Sequence, residues 1–371
     1  MKICNLIVGC GLSGIVLANK IANELNEEVL IIEKKNHIGG TCYDYKNEFG
    51  ITIHKYGPHI FRTDNKEIWD FLSKYTDWKP YFHKVHGIID GIEVPIPFNL
   101  NSLYLVFSPN KARELEEKLL SNYLYGSKTT ILELRKSNDS DLKFLSDFIY
   151  EKIYLNYTIK QWDLKPEEMD SSVTGSVPIN ISRDDRYFKC KYQGIPLHGY
   201  TEMFNKMLDN KKIRILLQTD YKDVDQQIKY KRLFYTGSID EFFDFSYGEL
   251  PYRSVDFKFK TYQKDNIQCT SVLNYPNNYD FTRSTEYKKF LDEESRFSTI
   301  GYEYPENYKK DINERVYPIV NDENLNKYHI YLNEAKGYKN IYFLGRLGSY
   351  KYLDMEGTIR NCFDILKNIK I

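Results

Sequence analysis

A short apolar run opens the chain, Ile3 to Val8, breaks at Gly9, and resumes at helical spacing through Leu12, Ile15, Val16 and Ile21. A second run, Val29-Leu30-Ile31-Ile32, ends at Glu33. Short continuous apolar runs between turn residues predict buried parallel strands, and the 3.6-residue period between them predicts the connecting helix. Further on, Ile51 to Tyr56 alternates like a strand, and Asp64 or Asn65 can cap a helix carrying Ile68, Trp69, Phe71 and Leu72. Lys84 to Val94 reads as a hairpin turning at Asp90-Gly91 and closed by Pro95 and Pro97. From about Asn101 to Asp170 the period is helical, as in Lys111 to Leu120 and Leu142 to Tyr150, whereas Ser171 to Gly199 is irregular and suits a loop that moves.

Strand signals return at Ile213 to Leu217 and at Arg232 to Tyr235, the latter running into the turn Thr236-Gly237. Alternation at Val255, Phe257 and Phe259, and the stretches Thr270 to Tyr275, Phe281 to Tyr287 and Ser298 to Tyr304, predict an antiparallel sheet. A last strand and turn, Ile341 to Gly348, precede a closing helix from Met355 to Ile369. The fold expected is α/β: a Rossmann-like domain assembled from the discontinuous segments 1–80, 200–250 and 318–371. A helical insertion occupies 98–172 with a mobile loop at 171–199, and an antiparallel substrate domain occupies 81–97 and 251–317.

Chemistry enters at the break between the first strand and helix. Gly9, Gly11 and Gly14 stand at G-x-G-x-x-G spacing, for the turn, for close approach of a pyrophosphate and for helix–strand packing. The unpaired N–H groups of the helix that follows, starting at Leu12 and Ser13, point at an anion. Glu33 is placed to accept from an adenosine ribose and would repel a 2′-phosphate, which favours FAD or NAD over NADP. The polar loop His37-Ile38-Gly39-Gly40-Thr41 lets backbone approach a second section of an extended cofactor, which tilts the choice to FAD.

Composition narrows the partners. Lys plus Arg and Asp plus Glu each number 52, so the net charge is zero and the usual basis for nucleic acid or anionic membrane binding is absent. The 33 tyrosines read as compositional bias rather than function. Cys4, Cys10, Cys42, Cys190, Cys269 and Cys362 have no metal-like spacing, and His83 and His86 fall on opposite faces of an apparent strand, so no metal is expected. No run reaches membrane-spanning length, and reduced thiols fit a cytoplasmic protein.

The chain resembles the bacterial UDP-galactopyranose mutases. Beyond the glycine cradle with Glu33, the resemblance rests on Tyr56 to Phe61, Tyr157-Thr158-Ile159-Lys160-Gln161-Trp162, Asp184 to Phe188, Tyr235 to Asp240, Tyr252 to Phe257, Thr282 to Glu286 and Gly345 to Met355. It implies an enzyme that interconverts the pyranose and furanose forms of a nucleotide-diphospho sugar, such as UDP-galactose or UDP-N-acetylgalactosamine. FAD is implied in its reduced form, with N5 attacking the anomeric carbon and the adduct opening through an iminium before the ring recloses.

The resemblance also implies site roles. Arg283, with Tyr187, Phe188, Arg253, Tyr317 and Tyr352, would hold the diphosphate sugar, Tyr157 and Thr158 the base, and Trp162 a wall. His59 and Ile60 would lie by the flavin. Lys34, Gly237, Arg346, Asp354 and Met355 would complete its binding, with His59, Arg62, Arg283, Tyr317, Tyr352 and Asp354 as the catalytic set. A nucleotide-sugar substrate, an external reductant such as NAD(P)H and a homodimer would be the partners.

Three positions depart from the family pattern: Arg62 replaces a histidine, Ser176 an arginine on the mobile loop, and Ile153 an aromatic that stacks the base. Arg183 and Arg186 lie close enough in sequence to compensate, and Arg62 is suited to donate to an acceptor on a modified sugar. The competing reading is an FAD-dependent oxidoreductase of the amine-oxidase type, which shares the cradle and the glycine-pair loop. A flavin-binding protein without catalysis is a third.

Overall fold

A computed structural model describes residues 2–169 and 177–369. The chain divides into two compact units, residues 1–81, 190–254 and 308–371 in the first and 82–189 and 255–307 in the second.

The first unit is built on five parallel strands in the spatial order Ile213–Leu216, Val29–Ile32, Lys2–Val8, Lys229–Tyr235 and Ile341–Phe343. Numbered along the chain the order is 3-2-1-4-5, so the topological switch lies between the first and fourth strands, where a crevice opens beyond their carboxyl ends. Ile3, Leu6, Leu30, Ile32 and Leu233 pack as one buried cluster beneath it. The helix Leu12–Lys20 leaves the first strand at Gly11 and is buried from Leu12 to Asn19. Its position rests on Gly14: a Cβ there would stand 2.0 Å from the Gly9 carbonyl oxygen and 3.2 Å from the Ile7 side chain. Gly9 itself turns the chain at a φ of +100°, which a side chain resists. The closing helix Met355–Ile369 packs against the cradle helix, with the Cys362 thiol donating to the Ser13 carbonyl.

The second unit combines helices with six strands of a seven-stranded sheet, in the order Tyr252–Tyr262, Ser298–Asn307, Arg283–Glu286, Val272–Asn274, Val85–Ile89 and Ile92–Ile96; the first three residues of Tyr252–Tyr262, and the seventh strand Tyr317–Pro318, count with the first unit. Its helices include Pro109–Asn122, Ser140–Ile149 and Asn156–Trp162. The expected hairpin forms, with Asp90 and Gly91 at φ of 49° and 84°. Pro95 lies inside its second strand rather than ending it, which the edge position permits because no neighbour needs its N–H.

Several boundaries differ from the sequence-based expectation. The sheet is not wholly antiparallel: Val272–Asn274 runs parallel to Val85–Ile89, which the long chain between them allows without a hairpin. The helical segment and this sheet form one compact unit, and 308–317 group with the first unit. Of the loop expected over 171–199, Ser171 to Ser176 lie outside the described residues. Tyr192–Pro196 is instead a strand between Phe61–Thr63 and Trp78–Pro80. Among the described residues no helix is long and apolar enough to cross a membrane.

Gly14→Ala should separate the cradle helix from its strand at a cost of about 3 kcal/mol or more, while Gly337→Ala, where the nearest atom is 3.4 Å away, should be close to neutral. Thermal unfolding of the two variants checks this, and equal melting temperatures would contradict it.

Candidate functional site

A cavity of about 510 Å³ opens at the switch point of the first unit. That is a volume typical of cofactor pockets, about 300–1,000 Å³. Thirteen of the sixteen expected cofactor residues line it: Gly9, Gly11, Leu12, Ser13, Glu33, Lys34, Gly40, Thr41, His59, Gly237, Arg346, Asp354 and Met355. Gly14, Gly39 and Ile60 do not. Gly14 acts through packing, and Gly39 donates its N–H to the Cys10 carbonyl at 2.8 Å, drawing the second glycine loop against the first. The two loops meet so closely that a Cβ on Gly40 would lie 2.8 Å from Gly11 Cα.

Glu33 ends its strand buried, with one carboxylate oxygen accepting from the Cys10 N–H at 2.7 Å and the other from the Lys35 N–H at 2.9 Å. This pins an acceptor at the cavity wall while leaving lone pairs for ribose hydroxyls. Cys42 also lines the cavity, and burial pushes its thiol up to about 12, so it meets a ligand as a neutral S–H and not as a nucleophile. Thr219, Asp220 and Tyr221 were missed, although they follow the third parallel strand, whose carboxyl end faces the same crevice. The segment Lys310 to Val316 was missed as well and carries no recognisable signal; Glu314 there pairs with Lys35 at 3.2 Å.

His59 is held in one tautomer. Its Nδ1–H donates to the Gly57 carbonyl at 2.9 Å, which leaves Nε2 without a proton, and its backbone N–H donates to His54 Nδ1 at 3.0 Å. Burial, reinforced by His54, lowers its pKa to about 3, and burial does the same to His54. The imidazole is therefore neutral. Asp354 caps the closing helix by accepting from the Gly357 N–H at 2.8 Å, and its other oxygen pairs with Arg62 at 3.1 Å.

Arg346 donates to the Leu353 and Val316 carbonyls at 2.8 and 3.2 Å, with its guanidinium 5.0 Å from the Tyr317 ring and 5.7 Å from the Tyr352 ring. The two tyrosine rings are 5.8 Å apart. Arg253 is buried in the strand opposite Tyr317.

The second unit gathers the remaining expected residues. Arg283 reaches Tyr157 at 3.5 Å and Glu303 at 3.4 Å. Burial raises the Glu303 pKa and Arg283 opposes that rise. His83, passed over from sequence except as an improbable chelator, is neutral beside them: burial, then Arg283, lowers its pKa to about 3. Its carbonyl accepts from the Tyr187 N–H at 2.7 Å and its ring stacks on Phe188. Thr158 is half-buried and Trp162 buried on the helix Asn156–Trp162. Lys160 fixes that helix by donating to the Tyr275, Tyr279 and Phe281 carbonyls at 2.5, 2.9 and 3.3 Å, and burial pulls its pKa down to about 8.

Arg183 and Arg186 do not stand ready as replacements. Arg183 is bidentate on Glu116 and Arg186 on Asp184. Ile153 is buried, and Ser176 lies outside the described residues.

A glycine cradle at the switch point of a 3-2-1-4-5 parallel sheet, an acid closing the second strand, and a second glycine loop against the first make this a dinucleotide-type flavoprotein fold. Comparison with known proteins agrees. A family model described as UDP-galactopyranose mutase matches residues 152–352, and one described as an NAD(P)-binding Rossmann-like domain matches 7–75. A protein of Klebsiella pneumoniae called a probable UDP-galactopyranose mutase is 36% identical, over 95% of this chain and 91% of its own. A dTDP-fucopyranose mutase of Escherichia coli is 35% identical, over 97% and 96%. A solved structure of reduced UDP-galactopyranose mutase has the same fold, with a TM-score of 0.75 at 13% identity, covering 100% of this chain and 94% of that one. The chain belongs to the UDP-galactopyranose mutase family. FAD is its cofactor, and the cradle residues fit it: Gly9, Gly11 and Gly40 present bare backbone to the cavity, and Glu33 holds a carboxylate at its wall.

Because His54, His59 and His83 are held neutral with pKa values of about 3 against an ordinary 6.5, the unfolded chain binds more protons between those limits. Stability should therefore fall as pH drops below 6.5, each histidine contributing up to about 1.4 kcal/mol per pH unit. His54→Asn, which keeps an acceptor for the His59 N–H, should flatten the acid limb of a melting-temperature profile; an unchanged slope would contradict this.

Proposed function

We propose that this protein interconverts the pyranose and furanose forms of a nucleotide-diphospho hexose, UDP-galactose or a modified relative such as UDP-N-acetylgalactosamine. The observation that carries the reading is Arg346 seated against Tyr317 and Tyr352 beside the flavin cavity, in a chain of this family. Reduced FAD supplies a nucleophilic nitrogen with no net change in oxidation state. The protein's residues do the rest: Arg283, Tyr157 and Tyr187 bind the diphosphate and base, and Tyr317 and Tyr352 donate to the leaving group. His59, neutral where it lines the cavity, would add no positive charge beside the reduced flavin.

The sugar and nucleotide are open to test because the named relatives differ in both while standing almost equally close, at 36% and 35% identity. Arg62 is the residue to watch. Its partner Asp354 shares the ion pair with solvent, since both side chains keep 30% and 44% of their exposure, so a sugar acceptor can compete for the guanidinium. Free cysteines fit a cytoplasmic setting, and the charged helical segment suits a homodimer contact. An external reductant such as NAD(P)H would keep the flavin reduced, and the furanose product would feed a transferase that builds polysaccharide. An amine-oxidase-type reading is disfavoured by family, although such oxidases share the fold.

Dithionite-reduced protein incubated with UDP-galactose, UDP-N-acetylgalactosamine and a dTDP-6-deoxyhexose should yield a furanose from at least one, measured by chromatography. Absence of product from all three, or stoichiometric oxygen consumption, would contradict the proposal. Arg283→Ala should lower kcat/KM by about 100-fold or more, the loss of a charge-assisted contact to the diphosphate. Arg62→His should change the ratio of activities on the two UDP-sugars; an unchanged ratio would remove Arg62 from specificity.

A further inference from the structure

A second group of chemically potent side chains stands on the sheet of the second unit and takes no part in the proposed reaction. The hairpin pairs Ile88 with Glu93, so alternation puts His86, two residues before Ile88, on the same face as Glu93 and diagonal to it. On the other side of that hairpin strand runs Val272–Asn274, whose approach delivers Cys269 to the same face. His86 Nδ1 lies 3.4 Å from Glu93 Oε2 and 3.4 Å from Cys269 Sγ, and the thiol donates to that same Glu93 oxygen.

Three donors on one side of a point is the arrangement a tetrahedral zinc ion requires. Bond lengths of about 2.3 Å to sulfur and about 2.0–2.1 Å to nitrogen and oxygen place neighbouring ligands about 3.4–3.6 Å apart. The two distances from His86 match this, and only the sulfur–carboxylate contact must open, as it would when the shared proton gives way to a metal. We propose that His86, Glu93 and Cys269 bind one zinc ion, with solvent in the fourth position. Binding replaces the thiol proton, which leaves to solvent, so the charge of the ion is met by thiolate and carboxylate. The thiolate selects zinc over magnesium or calcium, which take all-oxygen sites.

The site joins an edge hairpin to the segment entering Val272–Asn274, and Asn274 is the register partner of Arg283. A metal here would hold the strand against which Arg283 is aligned. The hairpin legible in the sequence carries both His86 and Glu93, but the approach of Cys269 depends on a parallel pairing between strands 187 positions apart, as Val85 and Val272 show.

The test uses the full FAD-loaded chain, stripped with chelator and titrated with zinc alone, with bound metal counted by elemental analysis. Cobalt in place of zinc should give a thiolate-to-cobalt charge-transfer band. The expected result is one equivalent bound by the unaltered protein, a higher melting temperature on adding zinc, and affinity weakened at least about tenfold in His86→Gln and in Glu93→Gln. Cys269→Ser should also lose the cobalt band. Circular dichroism of each variant separates loss of ligand from loss of fold. Failure of the unaltered protein to bind zinc, or undiminished binding and an intact cobalt band in Cys269→Ser, would overturn the proposal.

Discussion

Close approach of backbone to backbone at the first glycine turn is the constraint on which the first unit depends. With no side chain at Gly14 the cradle helix lies against the Gly9 carbonyl, and with none at Gly40 the second glycine loop comes up against Gly11. That contact sets the direction of the helix N-terminus and brings the Cys10 N–H onto the Glu33 carboxylate at 2.7 Å. Phosphate and ribose recognition thus have one origin, a path of backbone that tolerates no Cβ at Gly9, Gly14 or Gly40.

Charge is organised by fixed partners. Arg346 is held by two carbonyls and two aromatic rings, Asp354 by a helix terminus, and Lys160 by three carbonyls. Burial of ionised groups adds little to stability, because lost hydration offsets attraction, but it restricts where a guanidinium or carboxylate can point. Such restriction is what stabilising a departing diphosphate requires, since donors set beforehand need no reorganisation during reaction. The neutral histidines follow the same logic: His59 and His83 are surrounded by protein that cannot solvate a second positive charge near Arg346 and Arg283.

The parallel sheet, the cradle, Glu33, the hairpin turn at Asp90-Gly91 and the closing helix were legible because each is written in local periodicity or in residues with special backbone freedom. What stayed hidden depends on distant pairings. Lys310 to Val316 line the cavity without any motif, and Tyr192–Pro196 is a strand only because Phe61–Thr63 and Trp78–Pro80 flank it. Arg183 looked available from sequence, but Glu116, distant in the chain, engages it; Arg186 is engaged by Asp184 only two residues away, a partner that local reading could have found. Local spacing shows which groups exist, whereas their partners follow from packing.

Breaking the bond between the anomeric carbon and the diphosphate oxygen is the step that separates a mutase from an oxidase sharing the same cradle. The most direct measurement follows an isotopic label in that bridging oxygen of a UDP-hexose. With reduced protein the label should scramble into the non-bridging β-phosphate positions, and with oxidised protein it should stay in place. A bridging label that never moves in the reduced protein, while the sugar is consumed or the flavin oxidised, would contradict the account.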